Sequence, residues 1–216
     1  MQCYNFNWEL RSQLTLPFYE ASFHHHLKCR VMIIDLDAHQ GNGHEKDFSD
    51  DSRSLICPDG RVYILDMYNP GIYPFDHEAR RYIDQKVEVV TGTTTDEYLK
   101  KLDDALEVAG RMFDPELVVY NAGTDILDGD PLGRLKISPE GIAARDEKVF
   151  RFASSRNIPI VMLTSVFRPS DHLSLRLIME LVIRWLYEVQ CQNYSRFNNK
   201  SLEKTPYRFG EFPVKL

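Results

Sequence analysis

Residues 31–48 read VMIIDLDAHQGNGHEKDF. Val31-Met32-Ile33-Ile34 is a continuous apolar run, the pattern of a buried strand. Asp35, Asp37 and His39 follow on alternate positions. Side chains along a strand alternate between faces, so these three are expected to point the same way. Two carboxylates and an imidazole are costly to bury together unless a positive charge sits among them. A divalent metal ion is the simplest candidate. Asp35 is read either as a partner that orients a neighbouring histidine or as a group beside a monovalent cation. Taken alone, the motif is also compatible with a polar loop edge.

The neighbouring segments supply a frame. GNGHEKDFSDDS is a polar loop that opens a short helix. Residues 61–66 (RVYILD) and 86–90 (KVEVV) read as strands, with a turn at Asn69-Pro70-Gly71. Thr94 followed by Glu97 has the spacing of a capping box. The helix it starts carries the apolar stripe Tyr98, Leu102, Ala105, Leu106, Ala109 and Met112, and Asp114-Pro115 stops it. Leu117 to Tyr120 is a fourth strand. Ser138-Pro139 places a cap and a first-turn proline before a helix that runs to about Arg156. Ile158 to Leu163 is a fifth strand, and residues 171–190 form an amphipathic helix. This alternation predicts an α/β fold with a mainly parallel sheet, whose ligands gather at the carboxyl ends of the strands. Asp37, His39 and Asp125 all fall there. An Asp/His/Asp trio without thiolate leaves coordination positions open, the catalytic pattern for zinc, and also suits iron or manganese. In AGTDILDGDPLGRLKISPEG, residues 122–141, Asp125 is accompanied by Asp128 and Asp130. Acids and glycines are what loops contain, so this segment says little without the first.

The 216 residues carry a formal charge of −6. That argues against broad electrostatic binding to nucleic acid. No apolar run approaches the roughly 18 residues of a membrane span, and MQCYNFNWELRSQ lacks the apolar core of a signal peptide. Cys3, Cys29, Cys57 and Cys191 are scattered, which fits free thiols in a reducing compartment. His44 reads as a helix-face or loop histidine, and His77 as exposed.

IDLDAHQGNGHEKDF resembles the metal-binding strand and loop of zinc-dependent histone deacetylases. NAGTDILDGDPLGRLKISPEG resembles that family's second ligand loop, and NPGIYP (residues 69–74) the segment lining its acyl-lysine tunnel. The wording of residues 31–165 is most similar to the class IV members. The resemblance implies a three-layer α/β/α arginase-like fold around a mainly parallel sheet, with an incomplete domain at 31–165 between divergent segments at 1–30 and 166–216. It implies zinc held by Asp37, His39 and Asp125, with Asp35 in support beside a potassium site. It implies a tunnel residue in Tyr73, and Asn42 standing where most members carry a second supporting aspartate. The implied activity is hydrolysis of acyl-lysine in histones and fatty-acylated proteins, within deacetylase complexes, in nucleus and cytoplasm, with no direct contact to nucleic acid or membrane.

Two departures set this chain apart. The family's catalytic histidine pair lies in a Gly-rich segment ahead of the aspartate motif; here Phe23-His24-His25-His26 copies only the wording, much closer to Asp37. The family's glycines and oxyanion tyrosine follow the fifth strand; here Val166-Phe167-Arg168-Pro169 stands instead. The reading is therefore a deacetylase with no assigned catalytic proton carrier and impaired turnover, or a non-catalytic interaction form. An arginase-like small-molecule hydrolase is disfavoured, because a two-metal site of that type needs more Asp and His ligands.

Overall fold

Strand β1 (Val31–Asp35) is buried at every position, as its unbroken apolar run requires. In a computed structural model of the chain, which describes residues 30–49 and 62–165, it lies at the centre of the sheet. It is followed by α1 (Asn42–Asp47), β2 (Val62–Tyr68), a 3-10 turn (Ala79–Tyr82), β3 (Gln85–Glu88), α2 (Thr95–Met112), β4 (Leu117–Gly123), α3 (Pro139–Ser154) and β5 (Ile160–Ser165). The five strands make one sheet in the order β3-β2-β1-β4-β5. Every pairing is parallel, with Asp35 level with Asp66 on one side and Asn121 on the other. The chain thus reverses direction of travel across the sheet at β1, the place where an open parallel sheet gathers ligands.

Alternation along β1 divides the core. Met32, Ile34, Leu36 and Ala38 belong to the larger cluster, with Tyr98, Leu102 and Ala109 of α2 and Ile142, Val149 and Phe150 of α3. Val31 and Ile33 join Val62, Ile64, Val119 and Phe48 in the smaller one. Both long helices start as their sequence suggests. Glu97 accepts a 3.0 Å hydrogen bond from the Thr94 N–H, and Ser138 Oγ accepts one of 3.1 Å from the Gly141 N–H; both satisfy amides left open in a first turn.

Several expectations need adjusting. Met112 lies 71% exposed rather than on the buried stripe of α2; it is the last residue of the helix, beyond the sheet. β4 continues through Asn121, Ala122 and Gly123 because β5 runs alongside as far as Ser165. Asn121 is polar and Gly123 has no side chain, which is why the pattern looked finished at Tyr120. β3 begins at Gln85 and ends at Glu88. The expected helix at 171–190, the four cysteines and His24 to His26 lie outside the described residues. Among the described residues no helix is long and apolar enough to cross a membrane.

Candidate metal centre

Two loops at the carboxyl ends of β1 and β4 meet. Ala38 N–H donates to Asp125 Oδ1 at 2.9 Å, which staples the second loop to the first. Asp37 Oδ1 accepts the His39 N–H at 2.9 Å. The His39 Nδ1 then lies 2.6 Å from Asp125 Oδ2 and 3.2 Å from Asp37 Oδ1. Asp37, His39 and Asp125 each offer one donor atom within 4.8 Å of the others. Asp37 and Asp125 are buried and His39 is partly exposed, so the group opens outward on one side only. Burial alone would lower the His39 pKa. Hydrogen bonds to Asp125 and Asp37, and their charges, reverse this and raise it to about 10. Burial, then the neighbouring Asp37 charge, pushes the Asp125 carboxyl up. The imidazolium proton thus sits where a bound ion's charge would sit, and metal binding would displace it. Two carboxylates and one imidazole, with an open side, fit a zinc ion with a free coordination position.

The close approach of the two strand ends depends on a glycine. A Cβ on Gly123 would run into the Asp37 carboxylate and lie 2.6 Å from the Asp37 Cα. Beneath the site lies a residue that pattern reading passed over. Arg145 of α3 is fully buried and donates to the carbonyls of Gly123, at 2.5 Å, and Leu36, at 3.3 Å. Its guanidinium pairs with Asp146 at 2.8 Å and lies 5.8 Å from the centre of the Tyr120 ring. Tyr120 donates its hydroxyl to the same Asp146 carboxylate. Arg145 therefore ties together the strand ends that carry Asp37 and Asp125. The signal was available: Ile142, Arg145, Asp146, Val149 and Phe150 share one stripe of α3, and a charged pair on an apolar stripe is the unusual feature.

Asp35, Asp37 and His39 do not share one strand face as expected. β1 ends at Asp35, so the alternation does not extend through Asp37 and His39. Asp35 Oδ1 accepts the Asp37 N–H at 3.0 Å and Asn121 Nδ2 at 2.8 Å. Its other neighbours are His44 and Asp66, with which it makes a second Asp/His/Asp group. His44 is on α1 as a helix histidine but is buried, not a bland surface residue. Asn42 donates to Asp76 at 3.1 Å. Tyr73 is 54% exposed on the loop after β2, and that loop is fastened to the metal strand by Asn69 N–H donating to Ala38 O at 2.9 Å. Of the three acids in the second motif only Asp125 reaches the site. Asp130 caps its own turn through the Leu132 and Gly133 N–H groups, and Asp128 is exposed.

Comparison with known proteins identifies the family and the fold. The family model described as histone deacetylase domain matches residues 19–165. Histone deacetylase 2 of Arabidopsis thaliana is 76% identical over 136 residues, which are 63% of this chain and 33% of that protein. Histone deacetylase 8 of Xenopus laevis is 28% identical over 141 residues, 62% of this chain and 40% of that protein. The chain thus spans well under half the length of these curated relatives. Among solved structures, an HDAC homolog from Aquifex aeolicus superposes with a TM-score of 0.58 at 20% identity, over 76% of this chain and 43% of its own. An HDAC homolog complexed with SAHA gives 0.57 over the same shares. These likenesses establish the fold as deacetylase-like α/β. With most of its length matched by the family model, the chain belongs to the histone deacetylase domain family.

Proposed function

We propose that this chain carries the metal-binding half of a class IV, zinc-dependent lysine deacylase site, with Asp37, His39 and Asp125 as the ligands. The observation that carries the reading is their meeting from two segments more than eighty residues apart, all donor atoms within 4.8 Å. Bound zinc would polarise the amide carbonyl of an acyl-lysine and activate water. The chain's own residues do the positioning. Ala38 N–H fixes one Asp125 oxygen, leaving the other toward His39, and Asp35 holds the Asp37 backbone. Tyr73 offers an exposed ring beside the metal strand for the aliphatic stem of the substrate lysine. The same reading gives Asn42 a supporting role, places potassium beside Asp35, and takes histones and fatty-acylated proteins, in deacetylase complexes of nucleus and cytoplasm, as the substrates and surroundings.

Turnover is expected to be weak. Loss of an oxyanion donor costs about 10²–10³ in rate, and loss of acid–base help about 10²–10⁴. The sequence Val166-Phe167-Arg168-Pro169 where the family continues to its tyrosine favours a second reading, a non-catalytic form that keeps the domain's surface for partners. One experiment separates them: deacylation of acetyl-lysine and long-chain acyl-lysine peptides by the zinc-loaded chain, beside Asp125→Ala. Turnover lost in Asp125→Ala supports the enzyme. A folded chain that binds zinc and turns over nothing supports the interaction form. A folded chain that binds no zinc at this trio sinks the site itself.

A further inference from the structure

The loop after β2 is pinned on both sides of His39. At its start the Asn69 N–H donates to Ala38 O at 2.9 Å. At its far end Asp76 O accepts Gln40 Nε2 at 3.0 Å. Ala38 and Gln40 are the residues before and after His39. Asn69 also reaches the other ligand loop, with its Nδ2 3.4 Å from Gly133 O. The Asp76 carboxylate takes Asn42 Nδ2 and the Ala79 N–H, both at 3.1 Å. Between these anchors the loop displays two aromatic rings. Tyr73 is 54% and Phe75 56% exposed, two of the four large hydrophobic side chains that stand exposed among the described residues. Phe75 is unusual in its backbone as well. Its φ is +57°, in the left-handed region that bulky side chains rarely enter. Of the three non-glycine residues with positive φ among the described residues it is the only aromatic one. The fold thus gives up stability twice at one residue: an apolar ring is left in water, and its backbone is held where glycine would sit freely. Such a conformation persists only where its surroundings over-determine it, and it recurs at ligand clamps. The anchors on Asp76 supply that constraint. A ring that the fold leaves unburied, on a strained backbone beside the metal trio, is available to be buried by a ligand.

We infer that Phe75 is a specificity-determining residue of this site, whose ring takes up a large apolar side chain next to the acyl-lysine of a bound polypeptide. The acyl group has to reach Asp37 and Asp125, which are buried. Phe75 is exposed, so it meets what stays outside: the chain on either side of the lysine. The inference rests on the acyl-lysine reading above and adds the class of sequence that the site selects. A small acyl-lysine compound without flanking residues reaches the metal and not the ring.

The test uses the full 216-residue chain, loaded with zinc, and two zinc-chelating probes followed by isothermal calorimetry. One is a short alkyl hydroxamic acid. The other is a peptide in which the same group ends a side chain of lysine's length, with leucine as the next residue. The variants are Phe75→Gly, which removes ring and strain together, and Asp125→Ala. Phe75→Gly is expected to keep its affinity for the short probe and to bind the peptide about 5- to 10-fold more weakly. Replacing the peptide's leucine by glycine should cost the native chain a similar factor and cost Phe75→Gly nothing, the signature of a direct contact. The thermal midpoint of Phe75→Gly should hold or rise by about 2–4 °C, because glycine relieves the backbone. A fall in that midpoint overturns the inference, since the ring then holds the fold. So does a native chain that binds the leucine and glycine peptides equally, a comparison that needs no variant. In that case short-probe binding that Asp125→Ala abolishes leaves the metal site standing. A native chain that binds neither probe sinks the metal site and this inference together.

Discussion

Among the described residues, two Asp/His/Asp groups lie around the end of β1, and they differ in almost everything except composition. Asp37, His39 and Asp125 join two loops and leave one side open; their imidazole is drawn to 2.6 Å from a carboxylate. Asp35, His44 and Asp66 join two strands and a short helix and are all buried; their imidazole Nε2 lies 3.7 Å from an Asp35 oxygen. A fourth acid, Glu45, lies beside the second group. The same three residue types thus give a site open for exchange in one place and a buried charge cluster in the other. What separates them is which backbone segments are stapled around them.

The largest effect on this contrast is expected from Arg145. Its guanidinium holds the carbonyls of Leu36 and Gly123, which flank the first group, and touches nothing in the second. Arg145→Met leaves Asp146 as an unpaired buried charge, a loss of about 3–5 kcal/mol. Urea unfolding followed by circular dichroism should show that loss. In whatever fraction stays folded, the His39 group should lose metal affinity. Affinity kept there would mean Arg145 supports the sheet as a whole.

The two glycines give a sharper division. Gly123→Ala drives a methyl against the Asp37 backbone, which has no way to yield. Gly41→Ala meets the His44 ring and the Asp35 carboxylate, which are side chains. Overpacking of this kind costs about 1–3 kcal/mol, and Gly123→Ala should stand at the upper end. Gly123→Ala should weaken metal binding that depends on Asp125, and Gly41→Ala should leave it unchanged. Metal titrations of the two variants, compared by isothermal calorimetry, check this; an equal loss in both would merge the two groups into one site.

Much of the first group could be read from sequence because it is carried by local signals. An apolar run followed by D-x-D-x-H gives the strand and two candidate ligands, and a strand followed by an Asp-containing loop gives the third candidate. The helices were legible from Thr94 with Glu97 and from Ser138 with Pro139, because caps are contacts between near neighbours. The second group was not legible. Asp66 sits inside β2, where an acid reads as an outward-facing residue, and only the register Asp35 beside Asp66 brings the two together. His44 looked ordinary because its burial comes from α1 folding back over β1 and β2, a long-range fact. Arg145 carries a local signal, a charge on the apolar stripe of α3, but its partners, the carbonyls of Leu36 and Gly123, lie far away in sequence.

The smallest effect concerns how α1 is held over the second group. Asp76 pairs with Lys46 of α1, and its carboxyl also accepts Asn42 Nδ2 and the Ala79 N–H. The hydrogen bond from Lys46 is the main cause that lowers the Asp76 pKa to about 2. A carboxyl depressed by folding stabilises the native state above its unfolded pKa of about 3.8 and loses that contribution as pH falls toward 2. Lys46 is about half exposed, so solvent screening reduces the contribution to about 0.5–1 kcal/mol. Asp76→Asn should therefore lower stability by that amount at neutral pH and by almost nothing at pH 2, where the native Asp76 is itself losing its charge. Because Lys46 and Asn42 lie on the helix that carries His44, the variant should speed amide hydrogen exchange in α1 and leave the amides of Ala38 and His39 unchanged. Exchange rising equally in both places would show that the two groups open together, and the contrast between them would be one of composition only.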